Sequence, residues 1–287
     1  MTAAVERISA PDAVDPRPVL EARDVAVHYG GIKAVDGLSF ALTPGKIFGI
    51  LGPNGSGKST LLAALTRLVP LTRGGLIFDG EEFHNVSPAN VARKGVARTF
   101  QTVRLLTGLT VLENVQLGQD LHGAAAANGS PLLRRLRPTR TPSAGVSEAI
   151  ERTRLAGLEK LRPGELSYGT QRRVEIARAI AMGPRLLLLD EPTAGMSHGE
   201  RREISELLKD LRSEGLTQLL VEHDVQMMLD TCDYVFVMNF GKMIAEGSPA
   251  SVVREPAVQE AYIGKRWREA ADRQAGGGER DRGDEHA

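Results

Sequence analysis

The sequence predicts an α/β fold built on a mainly parallel sheet, and three observations support this. Short apolar runs bounded by turn residues alternate with helical patterns along the chain. The run from Leu186 to Leu189 is apolar at every position, as expected of a central strand buried on both faces. A glycine-rich loop, GPNGSGKST, directly joins another apolar run to a helical segment.

Taken in chain order, the apolar runs divide between two layers. Val25–Tyr29 and Leu76–Phe78 are short and lie near glycine-containing turns, which predicts a small antiparallel layer beside the main sheet. Ile47–Leu51 leads into the glycine-rich loop and is assigned to the main sheet. Leu219–Val221 and Tyr234–Met238 are expected to be neighbouring strands of this sheet.

The chain of 287 residues is interpreted as one domain with two tails. Residues 1–18 are rich in Ala, Asp and Pro and are predicted to be a disordered tail, as is the charged segment 269–287. The domain, 19–268, contains a helical region at about 102–180. Within that region, about 118–147 reads as an Arg-rich insertion, and its role is left open.

Composition excludes several classes of function. Lys plus Arg and Asp plus Glu both total 36, so no overall attraction to nucleic acid or anionic lipid is expected. A single cysteine excludes an intramolecular disulfide and a multi-cysteine zinc site. We expect no secretory signal. No window of the sequence approaches the roughly 18 continuous apolar residues of a membrane span. Partners would therefore have to bring the chain to a membrane.

The loop after the strand Ile47–Leu51 is a candidate phosphate-binding loop. Glycines allow backbone N–H groups to surround phosphate oxygens, the following helix N-terminus adds positive partial charge, and Lys58 reaches the β- and γ-phosphates. Ser59 would offer its hydroxyl to magnesium. The loop alone predicts a bound nucleoside triphosphate, and a small-molecule kinase or a GTPase would share it. The candidate residues are Gly52, Pro53, Asn54, Gly55, Ser56, Gly57, Lys58, Ser59 and Thr60.

Two acidic residues follow the apolar run in RLLLLDEP. Ligand-binding residues of open α/β sheets lie at such carboxyl ends of strands. Asp190 is suited to hold Mg²⁺, directly or through water, and Glu191 to polarise an attacking water.

A second helix N-terminus is predicted in ELSYGTQRRVEIARAIAM, where Ser167 and Gly169 begin an amphipathic helix. One domain needs only one such phosphate site for one nucleotide. We therefore interpret this terminus as acting on the nucleotide of a partner subunit, and a plain N-cap at Ser167 is the alternative.

Together these motifs resemble those of the ABC ATPase family over residues 19–265. GPNGSGKST looks like Walker A, LLLLDE like Walker B, LSYGTQ like the signature motif, RTFQ like the Q-loop and VEHD like the switch-histidine segment. The resemblance implies a P-loop NTPase fold of ABC type with a parallel core, a small antiparallel β layer and a helical subdomain. It also implies ATP hydrolysis with ATP and Mg²⁺ as ligands.

The resemblance further implies a head-to-tail pair of such domains, with each ATP between the two. Ser167 and Gly169 would then contact the opposite nucleotide, and Tyr29 would stack on adenine, with a core tyrosine as its alternative. Gln101 would contact Mg²⁺ and the attacking water and connect them to the surface that receives the membrane subunit. His223 would contact the γ-phosphate. The implied catalytic residues are Glu191, His223 and Gln101, and the implied metal ligands are Ser59, Gln101 and Asp190.

Three residues depart from the common family pattern. Tyr168 stands where the signature motif usually has a second glycine, and Thr170 replaces its usual glutamine. Ser197, in EPTAGMS, stands where the D-loop normally has aspartate. The last change puts the usual contact between subunits at that loop in doubt.

Within the family, YGGIKAVDGLSF, ARTFQTVRLLTGLTVLENV and AYIGKRW resemble the longer ATPase subunit of branched-chain amino-acid importers, a subgroup similar to urea and amide importers. The resemblance implies peripheral attachment to the cytoplasmic face of the membrane. It implies two transmembrane permease subunits, a second ATPase subunit, and indirectly a periplasmic or lipid-anchored solute-binding protein, with no nucleic-acid partner. A heterodimer with the second ATPase is expected, and a homodimer remains open.

Three other functions remain open. They are an ATPase of a lipopolysaccharide-export system, a non-transport ABC ATPase and a soluble P-loop kinase. Non-transport members usually carry two fused ATPase domains or a long coiled-coil or zinc insertion, whereas this chain has one Walker A motif and one cysteine. A kinase would need a pocket for a phosphoryl acceptor, which the motifs do not indicate.

Overall fold

A computed structural model describes residues 17–123 and 143–262 of the chain. Its smaller sheet is antiparallel and has the strand order β2-β1-β4-β5. The strands are β1 (Leu20–Tyr29), β2 (Ile32–Leu42), β4 (Arg73–Phe78) and β5 (Glu81–Glu82). This sheet is the antiparallel layer that the sequence predicted.

The larger sheet contains β3 (Ile47–Leu51), β6 (Val96–Arg98), β7 (Leu186–Asp190), β8 (Thr217–Glu222), β9 (Tyr234–Asn239) and β10 (Lys242–Gly247). Its strand order is β10-β9-β3-β8-β7-β6. All neighbouring pairs are parallel except β9 with β10, which form an antiparallel hairpin at one edge.

Helices cover the faces of this sheet and form a helical region at one side. They are α1 (Lys58–Leu65), α2 (Pro88–Val91), α3 (Val111–Gly123), α4 (Ala144–Arg152), α5 (Tyr168–Ile180), α6 (His198–Ser213), α7 (Val225–Thr231) and α8 (Pro249–Val252). Short 3₁₀ turns lie at Ala92–Lys94 and Pro163–Glu165, and 256–262 is helical. Helices α3, α4 and α5 pack against one another. None of the helices within 17–123 and 143–262 is long and apolar enough to cross a membrane.

The predicted fold class is confirmed, and four of its strands were not predicted. These are β2, the two-residue β5, the three-residue β6 and the edge strand β10. The parts of the predicted tails at 1–16 and 263–287, and the part of the predicted insertion at 124–142, lie outside the described residues. The domain boundaries stay a prediction.

The apolar run of β7 separates two hydrophobic clusters. Leu187 and Leu189 pack into the cluster that contains the helical region, and Leu186 and Leu188 pack into the cluster beneath the antiparallel sheet. All four side chains are fully buried. Because successive side chains of a strand point to opposite faces, a strand between two cores must be apolar at every position.

Replacing Leu188 by Ala should lower the free energy of unfolding by about 2–5 kcal/mol, because the lost methyl groups leave a cavity that the parallel strands cannot close. Urea denaturation of the purified chain measures the change. Lys209→Ala on the exposed face of α6 is the control and should change stability little. A cost below about 1 kcal/mol for Leu188→Ala would show that this part of the core is loosely packed.

Candidate nucleotide-binding cleft

A cleft of about 510 Å³ lies at the carboxyl edge of the parallel strands. It extends from the glycine-rich loop to the turns that follow β1 and β9. Its lining residues are Ile32, Lys33, Ala34, Asn54, Gly55, Gly57, Lys58, Ser59, Thr60, Gln101, Glu191, His223, Phe240 and Gly241. Most of the residues predicted for phosphate binding and hydrolysis therefore meet in one place.

The loop between β3 and α1 depends on glycine at defined positions. Gly55 and Gly57 have φ angles of 81° and 104°, in the left-handed region that L-residues with side chains rarely adopt. A Cβ atom at Gly57 would lie 2.1 Å from the Ala34 carbonyl oxygen, and one at Gly52 would lie 2.3 Å from the Met238 carbonyl oxygen. The loop is therefore closely packed on its neighbours and open toward the cleft.

Lys58 is the first residue of α1, and its side chain is buried in the loop. Its ammonium group donates hydrogen bonds to the carbonyl oxygens of Gly52 at 2.7 Å and Pro53 at 3.0 Å. The positive charge is thus held at the centre of the loop, beside Ser59 and Thr60 on the cleft wall. An anion at this position would meet a preorganised ammonium group and the N-terminus of α1.

Glu191, Gln101 and His223 come from three different strand ends and meet at the opposite wall of the cleft. The Gln101 side-chain amide donates to the Glu191 carboxylate at 2.9 Å. Nδ1 of His223 lies 3.5 Å from Oε1 of Glu191. Glu191 itself has a φ of 43°, a strained conformation for a residue with a side chain. The structure thus brings together the three residues that the resemblance identified as catalytic.

Asp190 is buried at the end of β7, and its partner is a residue that the sequence reasoning missed. Arg98, at the end of β6, donates to Asp190 Oδ2 at 2.9 Å and to the Thr66 hydroxyl at 3.2 Å. In the pairing of β6 with β7, Arg98 is in register with Leu188, two residues before Asp190, so its long side chain reaches along the strand to the carboxylate. The only signal for it in the sequence was a basic residue just before the Q-loop glutamine.

The donor set near the loop fits Mg²⁺ bound together with phosphates. Mg²⁺ prefers oxygen ligands and usually takes one or two from the protein, with water and substrate phosphates completing its shell. Ser59 lines the cleft and offers a hydroxyl, and Asp190, which is not among the lining residues but directly precedes Glu191, offers a carboxylate. Among the described residues no group of three or more His, Cys, Asp or Glu could hold a metal ion by itself. The site therefore suits a metal that arrives with a triphosphate.

Glu222 stabilises the loop after β7, which contains Glu191. It is buried at the end of β8 and accepts hydrogen bonds from the Thr193 hydroxyl at 2.7 Å and the Thr193 N–H at 3.2 Å. Burial raises the pKa of Glu222, and the nearby Glu191 acts in the same direction, while the bonds from Thr193 oppose it. The contact joins the loop after β7 to β8, and neither residue was singled out from the sequence.

Ser167 and Gly169 lie apart from the cleft of their own chain, since neither is among its lining residues. The Ser167 hydroxyl caps α5 by accepting from the Thr170 N–H at 3.2 Å. The Gly169 N–H donates to the Glu200 carboxylate at 3.3 Å.

Ser197 caps α6 in a reciprocal capping box with Glu200, which explains a serine at this D-loop position. Tyr29 is 50% exposed at the end of β1, and the neighbouring Ile32, Lys33 and Ala34 line the cleft instead.

A buried arginine connects the start of α5 with the Q-loop. The Arg172 guanidinium donates to the carbonyl oxygens of Phe100 and Gln101, each at 2.6 Å. It also pairs with the Glu175 carboxylate at 2.6 Å, and both side chains are buried. The backbone at Gln101 is therefore fixed to α5, a contact that the amphipathic pattern of this helix did not reveal.

Replacing Glu222 by Gln should raise the melting temperature more at pH 8 than at pH 5. Because the folded pKa is raised, the folded protein holds this proton more tightly than the unfolded chain, and stability is lost as the pH rises above the unfolded pKa of about 4.3. Glutamine removes the buried charge and keeps an acceptor for Thr193. Thermal unfolding between pH 5 and pH 8 measures the difference, with the exposed Glu203→Gln as control. Equal shifts at both pH values would contradict the raised pKa.

Solved structures of ATP-binding cassettes share this fold. A nucleotide-free ATP-binding cassette from an ABC transporter has a TM-score of 0.74 and 33% identity, covering 85% of this chain and 98% of that one. The ADP conformation of an ATP-binding cassette of an ABC transporter has a TM-score of 0.75 and 33% identity, covering 86% and 99%.

Curated relatives match the chain at their full length. BraF, a high-affinity branched-chain amino acid transport ATP-binding protein of Pseudomonas aeruginosa, is 36% identical over 254 residues, covering 87% of this chain and 99% of BraF. LivG of Escherichia coli, described in the same words, is 34% identical over 253 residues, with the same coverage. LptB of Haemophilus influenzae, a lipopolysaccharide export system ATP-binding protein, is 32% identical over 254 residues, again covering 87% and 99%.

Two family models match different parts of the chain. The model described as ABC transporter matches residues 35–194, which is more than half of the chain. The model described as branched-chain amino acid ATP-binding cassette transporter matches residues 242–267. On the fold, the relatives and these family models, the chain belongs to the ABC transporter family, as one of its ATP-binding cassette subunits.

Proposed function

We propose that this chain is the ATP-hydrolysing subunit of an importer for branched-chain amino acids or a related small polar solute. The observation that carries the proposal is the meeting of the phosphate loop, Glu191, Gln101 and His223 in one cleft. The match of residues 242–267 to the branched-chain family model and the likeness to BraF and LivG favour this class of solute. Urea and short amides belong to the proposal as related solutes.

Binding of ATP begins at the phosphate loop. The β- and γ-phosphates occupy the position above α1, where backbone N–H groups and the helix N-terminus favour negative charge. The Lys58 ammonium group, now bonded to the Gly52 and Pro53 carbonyl oxygens, turns to the phosphate oxygens. Because those carbonyl bonds already hold it in place, little side-chain entropy is lost when the phosphates arrive.

Hydrolysis depends on Glu191 and its two partners. The carboxylate of Glu191 takes a proton from a water placed in line with the γ-phosphorus, and the oxygen of that water forms the new bond to the γ-phosphorus. The bond between the γ-phosphorus and the oxygen that bridges to the β-phosphate breaks. The electron pair of this bond stays on that oxygen, and ADP leaves. Gln101 and His223 release Glu191 from their present contacts so that it can face the water, and His223 contacts the γ-phosphate.

Mg²⁺ would be held by Ser59 and Asp190, with Gln101 as a further ligand. When bound, it would neutralise charge that develops on the phosphate oxygens. In the present structure Asp190 is bonded to Arg98 through one carboxylate oxygen, Oδ2. Arg98 fixes the orientation of this carboxylate and keeps its negative charge balanced inside the protein.

A second ATPase domain completes the site. Ser167 and Gly169 begin α5 away from their own cleft, so they are available to the nucleotide of the partner. Tyr29, the last residue of β1, stacks on the adenine. The partner is a second ATPase subunit, with a heterodimer favoured over a homodimer by the likeness to importers.

The complete transporter would contain two transmembrane permease subunits beside the two ATPases. The chain would be attached peripherally at the cytoplasmic face of the membrane, and a solute-binding protein would choose the solute. A lipopolysaccharide exporter is the second candidate, supported by the 32% identity to LptB. The two candidates differ in the membrane partners that the chain binds.

Replacing Glu191 by Gln should leave ATP binding within about twofold of the wild type and lower the hydrolysis rate roughly 100-fold or more, because the amide cannot accept the proton of the water. Isothermal titration with ATP and a phosphate-release assay measure the two quantities. Lys58→Ala is the contrasting variant, since it removes a charge from the phosphate site and should weaken ATP binding itself. Hydrolysis by Glu191→Gln at the wild-type rate would refute the role of Glu191.

Purification of the tagged chain from its own cells in a gentle detergent tests the transported class. We expect two permeases and a second, shorter ATPase to co-purify, with a solute-binding protein encoded or captured alongside them. Recovery of lipopolysaccharide-export components would replace the importer by the second candidate. Recovery of soluble DNA or ribosomal partners alone would contradict both.

A further inference from the structure

The turn between β9 and β10 presents a phenylalanine in an unusual conformation at the mouth of the cleft. Phe240 is 79% exposed, and its φ of 46° lies in the left-handed region. Asn239 pairs with Lys242, so Phe240 and Gly241 form a two-residue hairpin turn in which both φ angles are positive. Asn-Gly and Gly-Gly are the preferred pairs in such turns, because a bulky side chain strains the first position.

Backbone contacts fix this turn between the phosphate loop and β2. The Gly241 N–H donates to the Ser56 carbonyl oxygen at 2.9 Å, and the Asp36 N–H donates to the Gly241 carbonyl oxygen at 2.8 Å. A Cβ atom at Gly241 would lie 2.6 Å from the Lys33 carbonyl oxygen. The position of Phe240 is therefore determined by the loop and by β2 on either side of the cleft.

The cleft is lined by both polar and large apolar side chains. Lys58, Ser59 and Thr60 line the phosphate end, whereas Ile32 and Phe240 are the large apolar side chains among the lining residues. Ile32 is 70% exposed, so both apolar side chains face solvent in this structure. A triphosphate bound at the loop would carry its base within the same cleft, where a flat aromatic ring could cover these two exposed side chains.

We propose that Phe240 packs on the adenine base of the bound nucleotide and contributes directly to its affinity. The inference rests on the proposed function, since it requires that ATP binds in this cleft, and it adds an aromatic contact from β9–β10 to the one expected of Tyr29. Stacking of a base on an aromatic side chain suits any flat purine and needs no hydrogen bonds. The strain at Phe240 is then retained because an asparagine, although better for the turn, could not stack in this way.

Phe240→Asn separates the two effects, because asparagine relieves the turn and removes the ring. We expect the melting temperature of the nucleotide-free protein to rise and the affinity for ADP to fall roughly 5- to 50-fold. Affinity for inorganic tripolyphosphate, which has no base, should stay within about twofold. Isothermal titration with ADP and with tripolyphosphate, each with Mg²⁺, measures both ligands on the full chain.

Two further variants serve as controls. Phe240→Tyr keeps the ring and should bind ADP with nearly wild-type affinity. Leu68→Asn removes an exposed apolar side chain that is not among the lining residues of the cleft and should change neither affinity.

Three results would overturn the inference. Unchanged ADP affinity in Phe240→Asn would show that the ring does not touch the base. An equal loss for ADP and tripolyphosphate would show that the substitution acts through the phosphate loop. A lowered melting temperature would show that Phe240 is held by contacts within the protein. A wild-type chain that binds neither ligand would instead refute the proposed function itself.

Discussion

The parallel pairing of β3, β6, β7, β8 and β9 is the constraint on which the rest of the cleft depends. Parallel strands end at the same edge of a sheet, so the residues that follow them in sequence meet in space. The phosphate loop follows β3, Glu191 follows β7, His223 follows β8, and Phe240 follows β9. Gln101 follows β6, three residues after its end. Residues that are more than a hundred positions apart therefore share one cleft, and the buried side chains of β7 stabilise this arrangement.

In this structure the charged groups in and beside the cleft are held by hydrogen bonds within the protein. The Lys58 ammonium group is held by two loop carbonyl oxygens, Glu191 by Gln101, and Asp190 by Arg98. Under the proposed function, the bonds of Lys58 and Glu191 would be exchanged for bonds to phosphate and water, whereas Arg98 would stay on Asp190 and orient it. This exchange avoids an unpaired charge in a partly buried site. It also leaves the charged groups near the positions that they need for binding.

Much of the fold and of the cleft could be predicted from the sequence, because the patterns that mark them are local in the chain. The glycine loop must be glycine for steric reasons, and the continuous apolar run of β7 reflects burial on both faces. The three-residue β6 is too short to carry a pattern, and β10 is a half-buried edge strand. Arg98, Thr193 and Arg172 owe their contacts to strand and helix neighbours far away in sequence, so no local pattern marked them. The catalytic, metal-binding and partner-facing roles of the named residues remain predictions.

The most direct test is a crystal structure of the chain with Mg²⁺ and a non-hydrolysable ATP analogue. The account predicts that the triphosphate lies in the loop of residues 52–60, with a β- or γ-phosphate oxygen within hydrogen-bond distance of Lys58 Nζ. It also predicts that Glu191 has left Gln101 and faces a water in line with the γ-phosphorus. A nucleotide bound elsewhere, with Lys58 still on the Gly52 and Pro53 carbonyl oxygens and Glu191 still on Gln101, would contradict it.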